Sequence, residues 1–429
     1  MTAGVMTSPV EFVLRLWRSP AAWGAAADIF ALLTAFALPW STSLVAIFAL
    51  CWLGTAAWTL DYKVYFASLK RPICFLPIAL FMLAAIGTLW SDASWAARFY
   101  AVGPAAKLLV LPGLFYHFER STRGMWVFIA FLASCTLLMA MSWIVAFDPN
   151  LALKSEAEYG VPVKNYIDQS QSFALCAVAL AYPIITLLRA RRFWLAALLA
   201  AVSLSFVINM MFVAVSRTAL VTMPIMLAVF ALLHLKWRST AAIFCVLALL
   251  AGLAWAISPQ LRWTATTFMR DYQIYKELHQ PTSIGLRLEF WQKSLRFFAE
   301  APVIGHGTGS TRGLFELAAT GPRMLAAGQV IGNPHNQTLN VAIQWGAVGV
   351  VVLYAMWLFH LLLFRGDGLV AWIGLLVVVQ NVFTSLFNSH LFDFHEGWMY
   401  VLGVGIAGGM TLRARSNEAA ASPANSVKP

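Results

Sequence analysis

Residues 126–147 read WVFIAFLASCTLLMAMSWIVAF, a stretch without a charged side chain. A helix rises about 1.5 Å per residue, so a stretch of this length crosses the roughly 30 Å hydrocarbon core of a bilayer. The rest of the chain is similar in composition, since 61% of its 429 residues are hydrophobic and 11% are charged. Too few polar side chains remain to cover a water-soluble globule of this size. The sequence therefore predicts an all-α integral membrane protein.

Twelve apolar runs can be placed along the chain. They lie near residues 25–40, 42–60, 73–90, 99–116, 126–147, 171–188, 193–214, 219–235, 241–258, 338–364, 369–388 and 398–412. We therefore expect about twelve transmembrane helices, with spans one to nine in residues 1–258 and spans ten to twelve in residues 338–412. Residues 259–337 form a large, partly helical loop between spans nine and ten. The small, polar residues 413–429 are expected to form a disordered tail.

Basic residues recur in every second connection between these runs. Lys70 and Arg71 fall in one such connection, and Arg191 and Arg192 fall in another. Because cytoplasmic connections are enriched in Lys and Arg, both termini should be cytoplasmic, and the loop at residues 259–337 should face the periplasm or the cell exterior. The net charge of +11 follows largely from the same rule, so we expect membrane lipids and no nucleic acid as partners.

The loop at residues 259–337 contains an amphipathic stretch followed by a turn. In LRLEFWQKSLRFFAE, residues 286–300, apolar residues recur at helical spacing from Leu288 to Phe298, which predicts a helix lying on the membrane surface. The helix should end before Pro302, and the glycine-rich VIGHGTGS follows it. This turn has the composition of a phosphate cradle, but it lacks the Lys of a P-loop.

Two arginines on the predicted outer side are candidate substrate-binding residues. Arg217 stands in SRTAL, on the side where the topology rule disfavours cations, and Arg287 opens the amphipathic helix. A guanidinium group suits phosphate oxygens and keeps its charge at any working pH, so the pair could hold a diphosphate. The alternatives are that Arg217 snorkels to the interface and that Arg287 meets lipid headgroups.

Two histidines of the same loop are candidate acid–base or acceptor-side groups. His335 lies in NPHNQTLN just before the tenth span, and a neutral imidazole is suited to remove a proton from a sugar hydroxyl. Asn336 beside it could orient a partner or cap the helix. His306, in the glycine-rich turn, could assist the acceptor side. A structural role for His335 and simple exposure of His306 are the alternatives.

Further polar residues lie in or beside predicted spans. Asp168, Gln169 and Gln171 stand in YIDQSQS at the start of the sixth span, where they could bind sugar hydroxyls or cap the helix. Lys107 lies within the fourth span. An intramembrane charge marks function by default, and pairing inside the bundle is the alternative for Lys107.

No metal or cofactor is expected. The sequence contains no Asp-x-Asp pair, no His, Cys and carboxylate cluster with metal spacing, and no Walker motif. The five cysteines all lie in apolar stretches, so we expect them to act as small hydrophobic residues.

Several of these stretches together resemble one family. SRTAL, GLRLEFW through PVIGHGTGS, and PHNQTLNVAIQWGAVGVVV from residue 334, with YIDQSQS before them, are similar to the O-antigen ligase and polymerase superfamily of membrane glycosyltransferases. They span residues 165–355, and their order and membrane side agree with the predicted topology. Within the superfamily the chain most resembles the O-antigen ligase.

The resemblance implies a metal-independent, inverting transfer of O-polysaccharide from undecaprenyl diphosphate to lipid A-core oligosaccharide, at the periplasmic face of the bacterial inner membrane. It also implies that Arg217 and Arg287 bind the diphosphate and that His335 is the catalytic base.

Three alternatives remain. An O-antigen polymerase shares these motifs but would extend the glycan on its carrier. A protein O-oligosaccharyltransferase is expected to carry a further domain after the last span, where this sequence has a short tail. A lipid-linked glycan transporter would place charges along a path through the bilayer and often shows internal repeats, whereas the candidate groups here collect on one side.

Overall fold

The computed structural model describes residues 19–154, 159–213, 216–322 and 324–421. Within these ranges the regular secondary structure is helical and no strand occurs, which confirms the predicted all-α fold. Several of the helices are long and apolar enough to cross a bilayer. The chain is therefore a multi-pass membrane protein.

Nine helices lie in the described part of the first half of the chain. They are α1 (Pro20–Ala37), α2 (Thr42–Ala57), α3 (Tyr62–Ser68), α4 (Pro72–Ile86), α5 (Trp95–Ala106), α6 (Val110–Phe118), α7 (Gly124–Phe147), α8 (Tyr166–Ala179) and α9 (Ala181–Arg189). A 3-10 turn at Lys107–Leu109 separates α5 from α6, and another lies at Pro149–Leu151. Proline removes an intrahelical hydrogen bond, and Pro104 and Pro112 stand on either side of the first turn.

Nine further helices cover the second half of the described chain. They are α10 (Phe193–Phe212), α11 (Arg217–His234), α12 (Trp237–Ile257), α13 (Pro259–Leu278), α14 (Ser283–Glu300), α15 (Thr311–Leu317), α16 (Gln337–Leu363), α17 (Leu369–Thr384) and α18 (Phe394–Ala421). A short 3-10 turn lies at Ala326–Gly328. The segment predicted as a partly helical loop is thus built mainly from α13 and α14, and the amphipathic stretch forms a helix that ends at Glu300.

Every one of the twelve predicted apolar runs coincides with a helix or a pair of helices. Among the residues that the structure describes, six helical segments have the length and hydropathy of a membrane span, or seven if the bent pair α2 and α3 is one span. Three apolar helices are shorter, such as α4, and α18 begins with the polar residues His395 and Glu396. The count of twelve spans therefore stays a prediction.

Helix α18 lies at the centre of the bundle, and its residues from His395 to Gly409 are buried. It packs against α6 and α17. Its glycines allow this close approach, because a Cβ atom at Gly405 would lie 2.6 Å from Cβ of Leu114 on α6. Small residues bring helix backbones together where lipid supplies no hydrophobic drive for association.

The tail was predicted to be disordered from Arg413 onward, and this is wrong for the described part of it. Helix α18 continues without a break to Ala421. Arg413 Nη1 donates to the Ser121 carbonyl at 3.0 Å, and Arg415 Nη2 donates to the Leu363 carbonyl at 2.8 Å. These bonds anchor a stretch rich in Ala, Arg and Glu, which are good helix formers. Residues 422–429 lie outside the described ranges.

Helix α16 is interrupted at Gly346, where φ is 60° and ψ is −155°. A residue with a side chain rarely adopts this backbone conformation. The break leaves backbone N–H groups of the following turn without their helical acceptors. Ala347 instead donates to the Pro302 carbonyl at 2.8 Å, and Val348 donates to the Val303 carbonyl at 3.2 Å. Residues 301–310, named the glycine turn below, thus complete the broken helix.

Carbonyl groups on the other side of the break are satisfied by the same turn. The His306 amide donates to the Ile343 carbonyl at 2.8 Å, and the Gly307 amide donates to the Gln344 carbonyl at 2.9 Å. The Gly309 amide donates to Oε1 of Gln344 at 2.9 Å. These three N–H groups are committed to α16, so they are not free to cradle a phosphate.

Candidate functional site

Three segments converge at the amino-terminal end of α16. Residues 329–336, the histidine loop, lead into α16, and residues 385–393, the acidic loop, connect α17 to α18. Helix α14 packs along α16 beside them. The Gln337 amide donates to the Ser385 carbonyl at 2.8 Å, and the Leu391 amide donates to Oε1 of Gln337 at 3.1 Å. These bonds hold the two loops together.

His335 is fixed on three sides. Its backbone has φ 54°, which is uncommon for a residue with a Cβ atom, and its amide donates to Oδ1 of Asn333 at 3.0 Å. The imidazole stacks on Phe290 of α14 with ring centroids 6.3 Å apart. Nδ1 lies 2.9 Å from Oδ1 of Asn388 in the acidic loop. A backbone conformation of this kind costs on the order of 1–3 kcal/mol and persists where surrounding contacts determine it.

The surroundings of His335 favour its neutral form. Burial lowers the pKa of His335 below its usual value, and the positive charge of Arg287 lowers it further. The hydrogen bond to Asn388 and the charge of Asp393 act in the opposite direction without reversing the shift. The imidazole can therefore accept a proton at neutral pH.

Arg287 lies on α14 three residues before Phe290, the residue on which the imidazole stacks. Residues three apart share one face of a helix. The hydroxyl of Thr282 caps this helix by accepting the Gly285 amide at 3.2 Å. The structure thus brings Arg287 close enough to His335 for its positive charge to lower the pKa of the imidazole.

Arg217 begins α11, and the hydroxyl of Ser216 caps that helix by accepting the Ala219 amide at 3.5 Å. The side chain of Arg217 lies outside the described part of the chain. The predicted pairing of Arg217 with Arg287 on one diphosphate therefore stays a prediction.

Three ionisable residues of the acidic loop and α18 form a cluster next to Asn388, named the ion cluster below: His390, Asp393 and Glu396. His390 Nδ1 lies 3.2 Å from Oδ2 of Asp393 and 3.6 Å from Oε2 of Glu396. Burial disfavours the charged form of His390, but the two carboxylates outweigh it and raise its pKa to about 9. His390 is therefore an imidazolium at neutral pH. Among the described residues this is the one set of His, Cys, Asp and Glu side chains with the geometry to hold a metal ion.

Lys107 supplies a second positive charge to this ion cluster. Its ammonium group is buried and donates to the Phe392 carbonyl at 3.1 Å and to the Asp393 carbonyl. The two cations, Lys107 and His390, balance the carboxylates of Asp393 and Glu396. The cluster is therefore neutral without an added ion. Of the two roles considered for Lys107, the structure favours pairing inside the bundle, where it holds the acidic loop.

Comparison with protein-family models gives a match over about a third of the chain. Residues 205–354 match the O-antigen ligase model. This segment, called the O-antigen ligase domain below, is similar to that family. This domain is typical of membrane glycosyltransferases of the O-antigen ligase and polymerase type. The comparison with curated proteins finds no match.

The O-antigen ligase domain contains five of the predicted site residues, namely Arg217, Arg287, His306, His335 and Asn336. Asn336 is the cap of α16, since its Oδ1 accepts the Leu339 amide at 3.0 Å, and its Nδ2 donates to the Leu386 carbonyl at 3.2 Å. Asn336 therefore sets the direction in which the chain leaves His335.

The other predicted site histidine in this domain has a structural contact. His306 Nε2 lies 2.8 Å from the Phe297 carbonyl, to which it donates. Phe297 lies near the carboxyl end of α14, seven residues from Phe290. At about 1.5 Å rise per residue, the two phenylalanines are roughly 10 Å apart along the helix. The structure thus places His306 near the carboxyl end of α14 and His335 beside its middle.

The residues predicted at the sixth span lie before the O-antigen ligase domain. Asn165 caps α8 by accepting the Ile167 and Asp168 amides. Gln169 Nε2 donates to the Gly160 carbonyl at 3.2 Å. Gln171 Oε1 accepts from Nε2 of Gln380 at 2.9 Å. Both glutamines are buried in contacts between protein groups, so the structure does not bring them to His335.

Asp168 is partly exposed and belongs to a second polar group. Its Oδ2 lies 4.0 Å from Nδ1 of His395 on α18, and Nζ of Lys164 lies 3.3 Å from the same nitrogen. His395 Nε2 lies 2.8 Å from the buried hydroxyl of Ser172. This set joins α8 to α18 next to Glu396.

Sequence reasoning missed the acidic loop as a source of site residues. A regular spacing was available, because His390, Asp393 and Glu396 stand three residues apart, and neighbours at that spacing share a helix face. For Asn388 no sequence signal was available. It lies 53 positions from His335, and only the packing of the two loops makes them neighbours.

Proposed function

We propose that this protein is a ligase-type glycosyltransferase that moves an O-antigen polysaccharide from undecaprenyl diphosphate to lipid A-core oligosaccharide. The observation that carries the proposal is the placement of Arg287 and neutral His335 on facing elements within the O-antigen ligase domain. A cation for the leaving phosphate and a base for the attacking hydroxyl are the two groups that a metal-independent transfer needs.

Arg287 binds the diphosphate of the donor together with Arg217. The bond between the anomeric carbon and the phosphate oxygen breaks, and the electron pair stays on the polyprenyl diphosphate. Guanidinium groups stabilise that charge through forked hydrogen bonds. The donor supplies the energy of transfer, so no nucleotide is consumed.

His335 acts on the acceptor. Its Nε2 takes the proton from an acceptor hydroxyl, while the hydroxyl oxygen forms a bond to the anomeric carbon on the face opposite the leaving diphosphate. The configuration at that carbon is therefore inverted. After the step, the proton is on the imidazole of His335 and the leaving group is free polyprenyl diphosphate.

The test is incubation of the purified protein with polyprenyl diphosphate glycan and lipid A-core, without metal or nucleotide. We expect a glycan joined to lipid A-core and release of polyprenyl diphosphate. A longer glycan that remains on the carrier would instead identify a polymerase. Movement of the donor across vesicle membranes without any new glycosidic bond would identify a transporter.

We further propose that the site faces the periplasm from the bacterial inner membrane, with both termini cytoplasmic. In a Cys245→Ser background, which removes the exposed native thiol, Leu317→Cys and Arg191→Cys place thiols at exposed positions. An impermeant thiol reagent should label the first variant and not the second in intact spheroplasts. Labelling of only the second would invert the topology.

A further inference from the structure

The side-chain amide of Asn388 is held in one orientation from both ends. Its Nδ2 lies 2.7 Å from Oδ2 of Asp393, and because a carboxylate only accepts, Nδ2 is the donor. Its Oδ1 lies 3.3 Å from Nδ2 of Asn333. Asn333 itself uses Oδ1 to accept the His335 amide and the Ser389 hydroxyl, so its Nδ2 must donate. Oδ1 of Asn388 is therefore an acceptor by two independent arguments.

This orientation decides which nitrogen of His335 carries the proton. Oδ1 of Asn388 accepts, so Nδ1 of His335 at 2.9 Å must donate its hydrogen. In a neutral imidazole one nitrogen is a donor and the other is an acceptor. The lone pair is thus on Nε2. Among the described residues no group forms a hydrogen bond to Nε2.

The acidic loop that carries Asn388 is itself anchored in the bundle. Lys107 donates to the Phe392 and Asp393 carbonyls, and His390 faces the Asp393 carboxylate. Asp393 is therefore held by its backbone and by its side chain. The order of contacts runs from Lys107 through Asp393 and Asn388 to His335.

We infer that Asn388 is a positioning residue that keeps the proton of His335 on Nδ1 and presents the lone pair of Nε2 to the acceptor hydroxyl. The inference rests on the proposed function, because it concerns the same base. Because Asn388 acts through His335, its loss should slow the chemical step and leave substrate binding intact.

The first variant is Asn388→Leu, which keeps the approximate size of the side chain and removes the acceptor. We expect kcat to fall by about tenfold to a hundredfold, the scale found when a partner that orients a histidine is removed. KM for the donor should stay close to the wild-type value. A purely structural role would lower the amount of folded protein without this separation of kcat from KM.

A swap of two side chains tests the direction of the hydrogen bonds. Asn388→Asp alone sets two carboxylates against each other at a contact that is now 2.7 Å, so transfer should fall at least as far as in Asn388→Leu. Adding Asp393→Asn restores one donor and one acceptor, and kcat should recover by about tenfold or more. The introduced carboxylate also accepts directly from Nδ1, so the acidic limb of the pH profile should move to higher pH.

The pH profile of transfer depends on the charged groups near His335, because they shift the pKa of its imidazole. These are Arg287 on α14, and Asp393 and His390 from the acidic loop. The reaction of His335 with diethyl pyrocarbonate, followed by mass spectrometry across pH, reports the same titration without turnover.

Asn381→Ala is the matched control, since Asn381 also has a buried side-chain amide. Its Oδ1 accepts from Nε1 of Trp357 in the bundle at 3.2 Å. It should leave the pH limb in place.

Two results would overturn the inference, and they are distinguishable. If His335→Ala transfers normally, the base assignment fails and the positioning role fails with it. If His335→Ala loses transfer while Asn388→Leu and the swap keep the wild-type kcat and pH limb, the base assignment stands and only the role of Asn388 is refuted.

Discussion

The glycine turn and the histidine loop each present one histidine of the O-antigen ligase domain, and they use it in opposite ways. In the glycine turn, Nε2 of His306 donates to the Phe297 carbonyl, and the backbone amides complete a broken helix. In the histidine loop, Nδ1 of His335 is held by Asn388, and Nε2 has no hydrogen bond within the described residues. The His306 imidazole stabilises the fold through a hydrogen bond, whereas the His335 imidazole keeps one nitrogen available to accept a proton.

The different contacts of His306 and His335 show that residue type and predicted membrane side are not enough to identify a general base. Both histidines follow the amphipathic helix in the same segment, and each contacts α14, through Phe297 in one case and Phe290 in the other. Only the hydrogen-bond partner of each ring nitrogen separates them. A base needs one nitrogen held and the other free.

The largest expected effect is that of His335→Ala. Removal of a general base slows transfer by roughly a hundredfold or more, while the donor should still bind because Arg287 is retained. Single-turnover transfer and donor binding are measured on protein of matched membrane abundance. Near-normal turnover would break the comparison, because His335 would then be as dispensable to chemistry as His306.

Arg287→Lys should be the next most severe change. Lys keeps the charge but loses the forked geometry that matches phosphate oxygens, so transfer should fall by about tenfold or more with weaker donor binding. Arg296→Lys on the same helix is the control, because Arg296 is largely exposed and pairs only with Glu300 among the described residues. Equal activity of the two variants would exclude a phosphate-binding role for Arg287.

The third prediction concerns pH. The pKa of His335 is lowered, so the base stays deprotonated below the usual histidine value of about 6.5. Transfer should therefore hold as pH falls to about 6.5 and decline only below it, approaching tenfold per pH unit. The profile of kcat/KM across pH measures this. A limb at higher pH that persists in His335→Ala would assign the titration to another group.

His306→Ala should affect stability more than chemistry. The variant loses one hydrogen bond, which contributes about 0.5–1.5 kcal/mol to stability, so the thermal midpoint should fall slightly. Turnover per folded molecule should remain near that of the wild type. A large loss in single-turnover transfer, at unchanged thermal midpoint, would move His306 into the chemistry and remove the contrast with His335.

The smallest expected effect is that of chelation. Because Lys107 and His390 already balance Asp393 and Glu396, EDTA should leave transfer unchanged. Inactivation by EDTA with recovery in magnesium would instead make the ion cluster a metal site. His390→Ala is a complementary change: loss of the imidazolium leaves the buried Glu396 carboxylate and the partly exposed Asp393 carboxylate underpaired. Breaking a buried ion pair costs about 3–5 kcal/mol, and the His390–Glu396 pair is the buried one.

Much of the fold could be predicted from local sequence. Apolar runs placed the helices, the spacing of apolar residues in residues 286–300 predicted α14, and Pro302 marked its end. Each of these depends on neighbours within a few residues. The disordered tail was the exception, because its helix is stabilised by contacts of Arg413 and Arg415 with distant carbonyls.

The sequence alone also pointed to the family and to Arg287 and His335, since both lie in short stretches whose order is specific. It determined the residue types available for chemistry. Residue type and spacing did not separate His335 from His306, and only the family resemblance assigned the base to His335. The contacts of each imidazole depend on which atoms meet it in the folded chain.

Only the tertiary structure decided how His335, the proposed base, is held. Asn388 reaches His335 across 53 positions, and Lys107 reaches the acidic loop across 285. A side-chain hydrogen bond forms within about 3 Å, whereas sequence patterns report only on residues within a few turns of a helix. The charge balance around Asp393 and the tautomer of His335 are therefore properties of the packed bundle, and the sequence specifies them only through folding.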